Sequence, residues 1–369
     1  MGIFLCYKIW KRKIATKPAV FRNDKYMIST TLKYIIQELN HLIMKKAFKV
    51  IGAVVIFVAV ILFIGGNNLL QQLFQGMKHQ VQWNTAEGEV LRDLSYGEGY
   101  RNTYDLYLPA NEKPKALMLF IHGGSWRAGQ KEDMAWAAER YADEGYITAS
   151  INYTRMHSDS MTYNSGYEYP CILSMMDEIG TSIKAIKSKC RELGCDIKQM
   201  AIGGYSAGGH LAMLYSSLYA QSAPLPIKFQ ISWVGPSDFS LFFPESAQSK
   251  VMDEGTAAER DRIFAHMNQF VYGTSGRDGD VKHDINTLKC VISPVDHVDG
   301  ATPPAVLVYG GVDRLVDASH GEKMAEVMAA SGVHNQLVIF PNSGHGLESD
   351  PDCTERVQQT IVEFCDKYF

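Results

Sequence analysis

The sequence predicts an α/β fold, a mostly parallel eight-stranded sheet flanked by helices, and three observations predict it. Beyond about residue 84, short β-type apolar runs alternate with longer helical patterns. Several of these runs, such as 116–121 and 305–309, are continuously apolar, as strands covered on both faces must be. The chain has 369 residues, 46% of them apolar, which excludes a disordered or disulfide-dense protein.

Strands are expected at 90–94, 104–107, 116–121, 147–153, 200–203, 229–234, 305–309 and 336–340, where β-branched, aromatic and aliphatic residues cluster. Helices are expected at 132–144, 172–193, 207–219, 319–331 and 354–368, where apolar residues recur at helical spacing. Residues 235–302 break the alternation. They separate two strands by about 70 residues and contain a helical pattern over 257–270. An excursion of this length inside a domain reads as a lid or binding loop, here a cap insertion over the site.

Ahead of this domain the charge changes sign. Residues 1–49 hold 11 Lys and Arg against Asp24 and Glu38, an excess of +9, so the remaining 320 residues carry −13 of the total −4. That balance gives no whole-chain footprint for nucleic acid. Residues 50–66 contain no charged side chain and would extend roughly 25 Å as a helix, near the lower limit for spanning a bilayer. Lys45, Lys46 and Lys49 precede the run and the next charge is Lys78, a bias that places the N-terminus in the cytoplasm. The expectation is a single-pass membrane protein. It would have a basic cytoplasmic segment at 1–49, a transmembrane anchor at 50–66, a tether at 67–83 and a large domain at 84–369 outside the cytoplasm. Met44 followed by two lysines looks like a translation start, but no Ala-x-Ala cleavage site follows, so the anchor is read as uncleaved.

Six of the seven cysteines (171, 190, 195, 290, 353 and 365) lie beyond residue 66, an even number that permits disulfides. None shows C-x-x-C spacing, and no metal site is expected. Oligomeric state leaves no signal.

The pattern Gly204-Tyr205-Ser206-Ala207-Gly208 falls between the strand at 200–203 and the helix at 207–219. A strand turning sharply into a helix exposes its central residue at the carboxyl end of the sheet, so Ser206 is the candidate nucleophile. A serine hydroxyl needs a base, normally a histidine held by a carboxylate. Of eleven histidines, His345 sits best, in the small-residue loop after the last strand. His210 lies one turn into the nucleophile helix, His320 opens what reads as a surface helix, and His266, His283 and His297 fall in the insertion. His122 reads as a brace for its loop. The acid is expected after the strand at 305–309, where Asp313 precedes Asp317. The latter reads as a cap for the helix from Ser319. His122-Gly123-Gly124-Ser125-Trp126 follows a central strand, and two glycines there let main-chain amides turn inward. The amides of Gly123, Gly124 and Ala207 are the expected oxyanion hole, and Trp126 and Tyr205 are the expected substrate-binding side chains.

At these residues the chain resembles the α/β-hydrolase superfamily. Within it the likeness is to carboxylesterases with an HGG oxyanion loop, the hormone-sensitive-lipase-like esterases and the group related to feruloyl and acetyl xylan esterases. The likeness runs from about Gly88 to Phe369. It includes Tyr104-Asp105-Leu106-Tyr107-Leu108-Pro109, the HGG loop, the segment from Gly204 to Ala212, Asp313 and Gly344-His345. It implies an α/β-hydrolase fold, Ser206 as nucleophile, His345 as general base and acid, Asp313 as orienting carboxylate, and the same three amides as the oxyanion hole. Lipase-like members usually carry Gly where Ser125 stands and Asp where Tyr205 stands, which moves this chain toward the short-acyl or hemicellulose esterases. The implied activity is hydrolysis of a small-molecule or carbohydrate-linked ester through an acyl-enzyme, with no cofactor. Amide, formamide or peptide hydrolysis by the same triad, or a non-catalytic scaffold, are the alternatives.

Overall fold

The computed structural model describes residues 88–110, 116–156, 167–242, 257–274 and 285–369. Among these, the strands in chain order are β1 (Gly88–Ser95), β2 (Thr103–Pro109), β3 (Leu117–Ile121), β4 (Ile147–Ile151), β5 (Met200–Tyr205), β6 (Ile227–Trp233), β7 (Ala305–Gly310) and β8 (Asn335–Phe340). They form one sheet in the order β1-β2-β4-β3-β5-β6-β7-β8. β1 pairs antiparallel with β2 and β2 with β4, while every pair from β4 to β8 is parallel. This is the α/β-hydrolase architecture that the resemblance implied.

The helices are α1 (Ala135–Asp143), α2 (Ile172–Glu192), α3 (Ala207–Tyr219), α4 (Phe239–Phe242), α5 (Ala257–Tyr272), α6 (Ile285–Ile292), α7 (Ser319–Ala330) and α8 (Pro351–Tyr368). Side chains alternate across each central strand, and both faces are apolar. On β3, Leu117, Leu119 and Ile121 join the core beneath α2, whereas Met118 and Phe120 join the core beneath α1 and α8. On α2, Ile172, Met175, Met176, Ile179, Ile183 and Ile186 recur at helical spacing, and all are buried. Beneath α7, Leu307 and Tyr309 of β7 pack with Met324 and Met328.

Two helices of the insertion between β6 and β7, α4 and α6, escape the sequence reading because four and eight residues are too short to show a period. Phe239, Met267, Val271, Leu288 and Ile292 join the core cluster that holds Trp126.

No helix among the described residues is long and apolar enough to cross a membrane, so the reading as a single-pass membrane protein is not upheld. The segment on which it rested, 50–66, lies outside the described residues, as do 1–49, the tether at 67–83 and residues 84–87. The physical weakness of the expectation was length: seventeen residues reach roughly 25 Å, whereas a hydrocarbon core is about 30 Å thick. The six cysteines at 171, 190, 195, 290, 353 and 365 are free thiols.

Candidate active site

β5 ends at Tyr205 and the chain turns at once into α3. Ser206 holds the turn at φ 53° and ψ −118°, a conformation that costs a residue with a Cβ. Two glycines allow it. A Cβ on Gly204 would stand 2.3 Å from the Gly208 backbone, and one on Gly208 would stand 2.0 Å from the carbonyl oxygen of Ile121. The helix start therefore lies directly against the ends of β3 and β5. The Ser206 amide donates to the carbonyl of Trp233 at 2.7 Å, which ties the turn to β6.

β7 and β8 are parallel neighbours, so the loops that follow them leave the sheet side by side. This brings together residues distant in sequence. Nε2 of His345 is 2.9 Å from Oγ of Ser206, and its Nδ1 is 2.7 Å from Oδ2 of Asp313. An ionised carboxylate can only accept, so the imidazole carries its proton on Nδ1 and presents a lone pair on Nε2 to the Ser206 hydroxyl. The other carboxylate oxygen, Oδ1, accepts the amides of Leu315 and Val316 at 2.8 and 3.1 Å. Asp313 is thus held at three points, and its side chain is wholly buried. The His345 loop is braced as well: Asp350 accepts from Asn342 and Ser343, and the Ser343 hydroxyl accepts the amide of Ser349.

Beside the serine, the HGG loop runs with positive φ through three consecutive residues: Gly124 at 113°, Ser125 at 51° and Trp126 at 60°. The carbonyl of Gly124 accepts the amides of Arg127 and Ala128, which closes the turn. Among the described residues, the amides of Gly123, Gly124 and Ala207 meet no protein acceptor. Such an array of amides at a helix N-terminus suits a negatively charged oxygen.

The other candidates find different places. Asp317 accepts the Ser319 amide at 2.9 Å and caps the start of α7; the Ser319 hydroxyl and amide hold its carboxyl below the usual range. His320 is not on the surface as expected. It is buried, its Nδ1 accepts the amides of Ser237 and Asp238, and desolvation lowers its pKa. His210 is fully buried, and desolvation pushes its pKa down to about 4. His266 is exposed on α5, and His297 bonds the carbonyl of Val291.

Trp126 and Tyr205, expected at the substrate, are both buried with their polar atoms occupied. The Trp126 indole donates to His210, and the Tyr205 hydroxyl donates to the carbonyl of His345. Tyr205 therefore braces the His345 loop, while Trp126 forms a wall with Phe239 and Phe270. Between the HGG loop and α5 lies a cavity lined by Arg127, Met156, Tyr169, Gln269 and Phe270. Among the described residues no cluster of His, Cys, Asp and Glu could hold a metal ion.

Residues 104–328 match the BD-FAE family model. Among curated proteins, the chain is 25% identical over 258 residues to "Probable isoprenylcysteine alpha-carbonyl methylesterase ICME" of Oryza sativa subsp. japonica, covering 70% of this chain and 58% of that protein. It is 26% identical over 234 residues to carboxylesterase NlhH of Mycobacterium tuberculosis, covering 62% of this chain and 66% of that protein. The chain thus spans less than two thirds of the length of these relatives. A crystal structure of inhibited esterase B from Lactobacillus rhamnosis superposes with a TM-score of 0.59 at 17% identity, covering 83% of this chain and 94% of that one. At that identity the likeness speaks for the fold alone. The family match takes in the HGG loop, the turn at Ser206 and the loop at Asp313, and the chain belongs to the BD-FAE family within the α/β-hydrolase superfamily.

Proposed function

We propose that the protein is a serine carboxylesterase working through an acyl-enzyme intermediate. The observation that carries this reading is the continuous chain of hydrogen bonds from Asp313 through His345 to Ser206, set beside three amides that meet no acceptor among the described residues. In this reading His345 Nε2 takes the Ser206 proton as Oγ attacks the ester carbonyl. The amides of Gly123, Gly124 and Ala207 receive the charge that develops on the carbonyl oxygen. Asp313 holds the imidazole in the required tautomer and stabilises the imidazolium. His345 then protonates the leaving alcohol and activates the water that frees the acid. The names of the rice and mycobacterial relatives, a methylesterase and a carboxylesterase, support an ester substrate.

Residues 84–369 form the catalytic domain in this reading, and 235–302 its cap. The contact of Phe270, on α5, with Trp126 supports that role. Trp126, Phe239, Phe270 and His210 pack against one another beside the HGG loop, which favours small acyl groups.

The test is hydrolysis of p-nitrophenyl acetate, butyrate and octanoate, with acetylated xylan and N-formylkynurenine in parallel, together with fluorophosphonate labelling. Wild-type protein is expected to prefer the short esters and to form an adduct on Ser206. Failure of Ser206 to label rejects the serine mechanism, and faster turnover of N-formylkynurenine than of any ester makes the protein an amidase.

A further inference from the structure

The HGG loop is held from behind by a residue that belongs to no motif. Arg101 lies just before β2 and is buried, only 8% exposed. Its guanidinium reaches both limbs of the loop. Nη2 donates to the carbonyl of Gly129 at 3.1 Å on the far limb and stands 3.2 Å from Nε2 of His122 on the near one. The same group is anchored at the end of β4, where Nη2 donates to Oδ1 of Asn152 at 2.9 Å and Nε to the carbonyl of Tyr153 at 3.0 Å.

His122 is fully buried, its ring stacked on Tyr153 with centroids 4.2 Å apart and planes 12° from parallel. Nη2 carries two hydrogens for three neighbours, so one N–H is shared between an oxygen and the ring. A guanidinium has donors only, and a ring N–H turned toward it would set hydrogen against hydrogen, so the facing imidazole nitrogen presents its lone pair, which places the ring proton on Nδ1. Nδ1 lies 2.7 Å from the carbonyl oxygen of Gly123 and donates to it. That carbonyl shares one planar, trans peptide with the amide of Gly124. When the oxygen is drawn toward His122, the N–H is turned the opposite way. The other tautomer would set an N–H against the guanidinium and a lone pair against the carbonyl, leaving the peptide free to rotate.

We propose that Arg101 is a positioning residue: by selecting the Nδ1–H form of His122 it fixes the Gly123–Gly124 peptide and so aims an oxyanion donor. The effect on turnover rests on the esterase reading above; the tautomer does not.

Two measurements keep these claims apart. In protein labelled with ¹⁵N-histidine, the His122 ring signals, assigned by their loss in His122→Gln, are expected to report Nδ1–H in the wild type. That preference should be lost in Arg101→Met. An Nε2–H ring in the wild type, or an unchanged preference in Arg101→Met, overturns the proposal whether or not the protein cleaves esters. With p-nitrophenyl acetate, Arg101→Met is expected to lower kcat by roughly ten- to a hundredfold, below the loss seen when an oxyanion donor is removed outright, while KM moves less than about threefold. Arg101→Lys keeps the charge but loses the fork, and is expected to fall between the two; it carries the measurement if Arg101→Met does not fold. The double variant of Arg101→Met with His122→Gln should lose no more than the worse single variant, and losses that multiply overturn the coupling. A wild type inactive on every ester removes the esterase reading and leaves the ring nitrogens to decide the clamp.

Discussion

The indole Nε1 of Trp126 donates to Nδ1 of His210 at 3.1 Å, joining the HGG loop to α3 one turn beyond Ser206. His210 passes the connection on, because its Nε2 donates to the carbonyl of Ile292, the last residue of α6, at 2.8 Å. An indole N–H can only donate, so the ring between them is neutral, with its proton on Nε2. One buried imidazole thereby links the loop, the nucleophile helix and the insertion.

This link makes stability depend on pH. Burial lowers the His210 pKa from its ordinary 6.5 to about 4. Between those values the unfolded chain binds a proton that the folded chain does not, so stability falls as pH drops through that window. The whole window corresponds to about 3 kcal/mol. Urea unfolding at pH 7 and pH 4.5 should show wild-type protein losing about 2–3 kcal/mol more than His210→Gln; equal losses argue against a neutral His210.

Replacing Ser206 separates chemistry from strain. Ser206→Ala should reduce ester turnover by a factor on the order of a million with the fold intact. Ser206→Gly should be as inactive, yet more stable than Ser206→Ala by about 1 kcal/mol, because glycine reaches this backbone conformation without a Cβ clash. Denaturant midpoints of the two variants check this, and coincident midpoints would remove the strain from Ser206.

Asp313→Asn keeps the shape but adds an N–H donor. Turned toward His345, that amide selects the wrong imidazole tautomer; turned away, it faces the amides of Leu315 and Val316. A kcat loss of roughly ten-thousandfold is expected, with KM little changed. A variant within tenfold of wild type would exclude Asp313 as the orienting acid.

Tyr205→Phe removes the donor to the His345 carbonyl. Desolvation raises the pKa of the buried phenol, which favours the protonated form that donates this bond. Its loss should cost about 1–3 kcal/mol of stability and lower kcat several-fold through a looser His345 loop. Unchanged thermal unfolding with unchanged kcat would leave the tyrosine without that bracing role.

Much of this was legible because it is local. A strand, a glycine turn and a helix follow one another within about ten residues around Ser206, and α3 occupies the expected 207–219. The apolar runs at 116–121 and 305–309 became central strands because each offers apolar side chains to both faces. What misled was also local. The apolarity of 50–66 read as a membrane span, and His320 at a helix start read as surface, although Ser237 and Asp238 bury it.

Arg101 shows where local reading ends. It is 21 residues from His122 and 51 from Asn152, and no spacing rule connects them. The strand order along the chain, the longer helices, the sharp turn at Ser206 and the glycine loop could be read from the residues alone, since those follow from side-chain periodicity and backbone sterics within a few residues. The three-dimensional fold alone settles which acid meets His345, which groups face the ring nitrogens of His122 and His210, and that the Tyr205 hydroxyl reaches the His345 carbonyl. Those choices depend on which donors and acceptors β-strand pairing brings within 3 Å or so of each other, and hydrogen bonding has no reach beyond that distance.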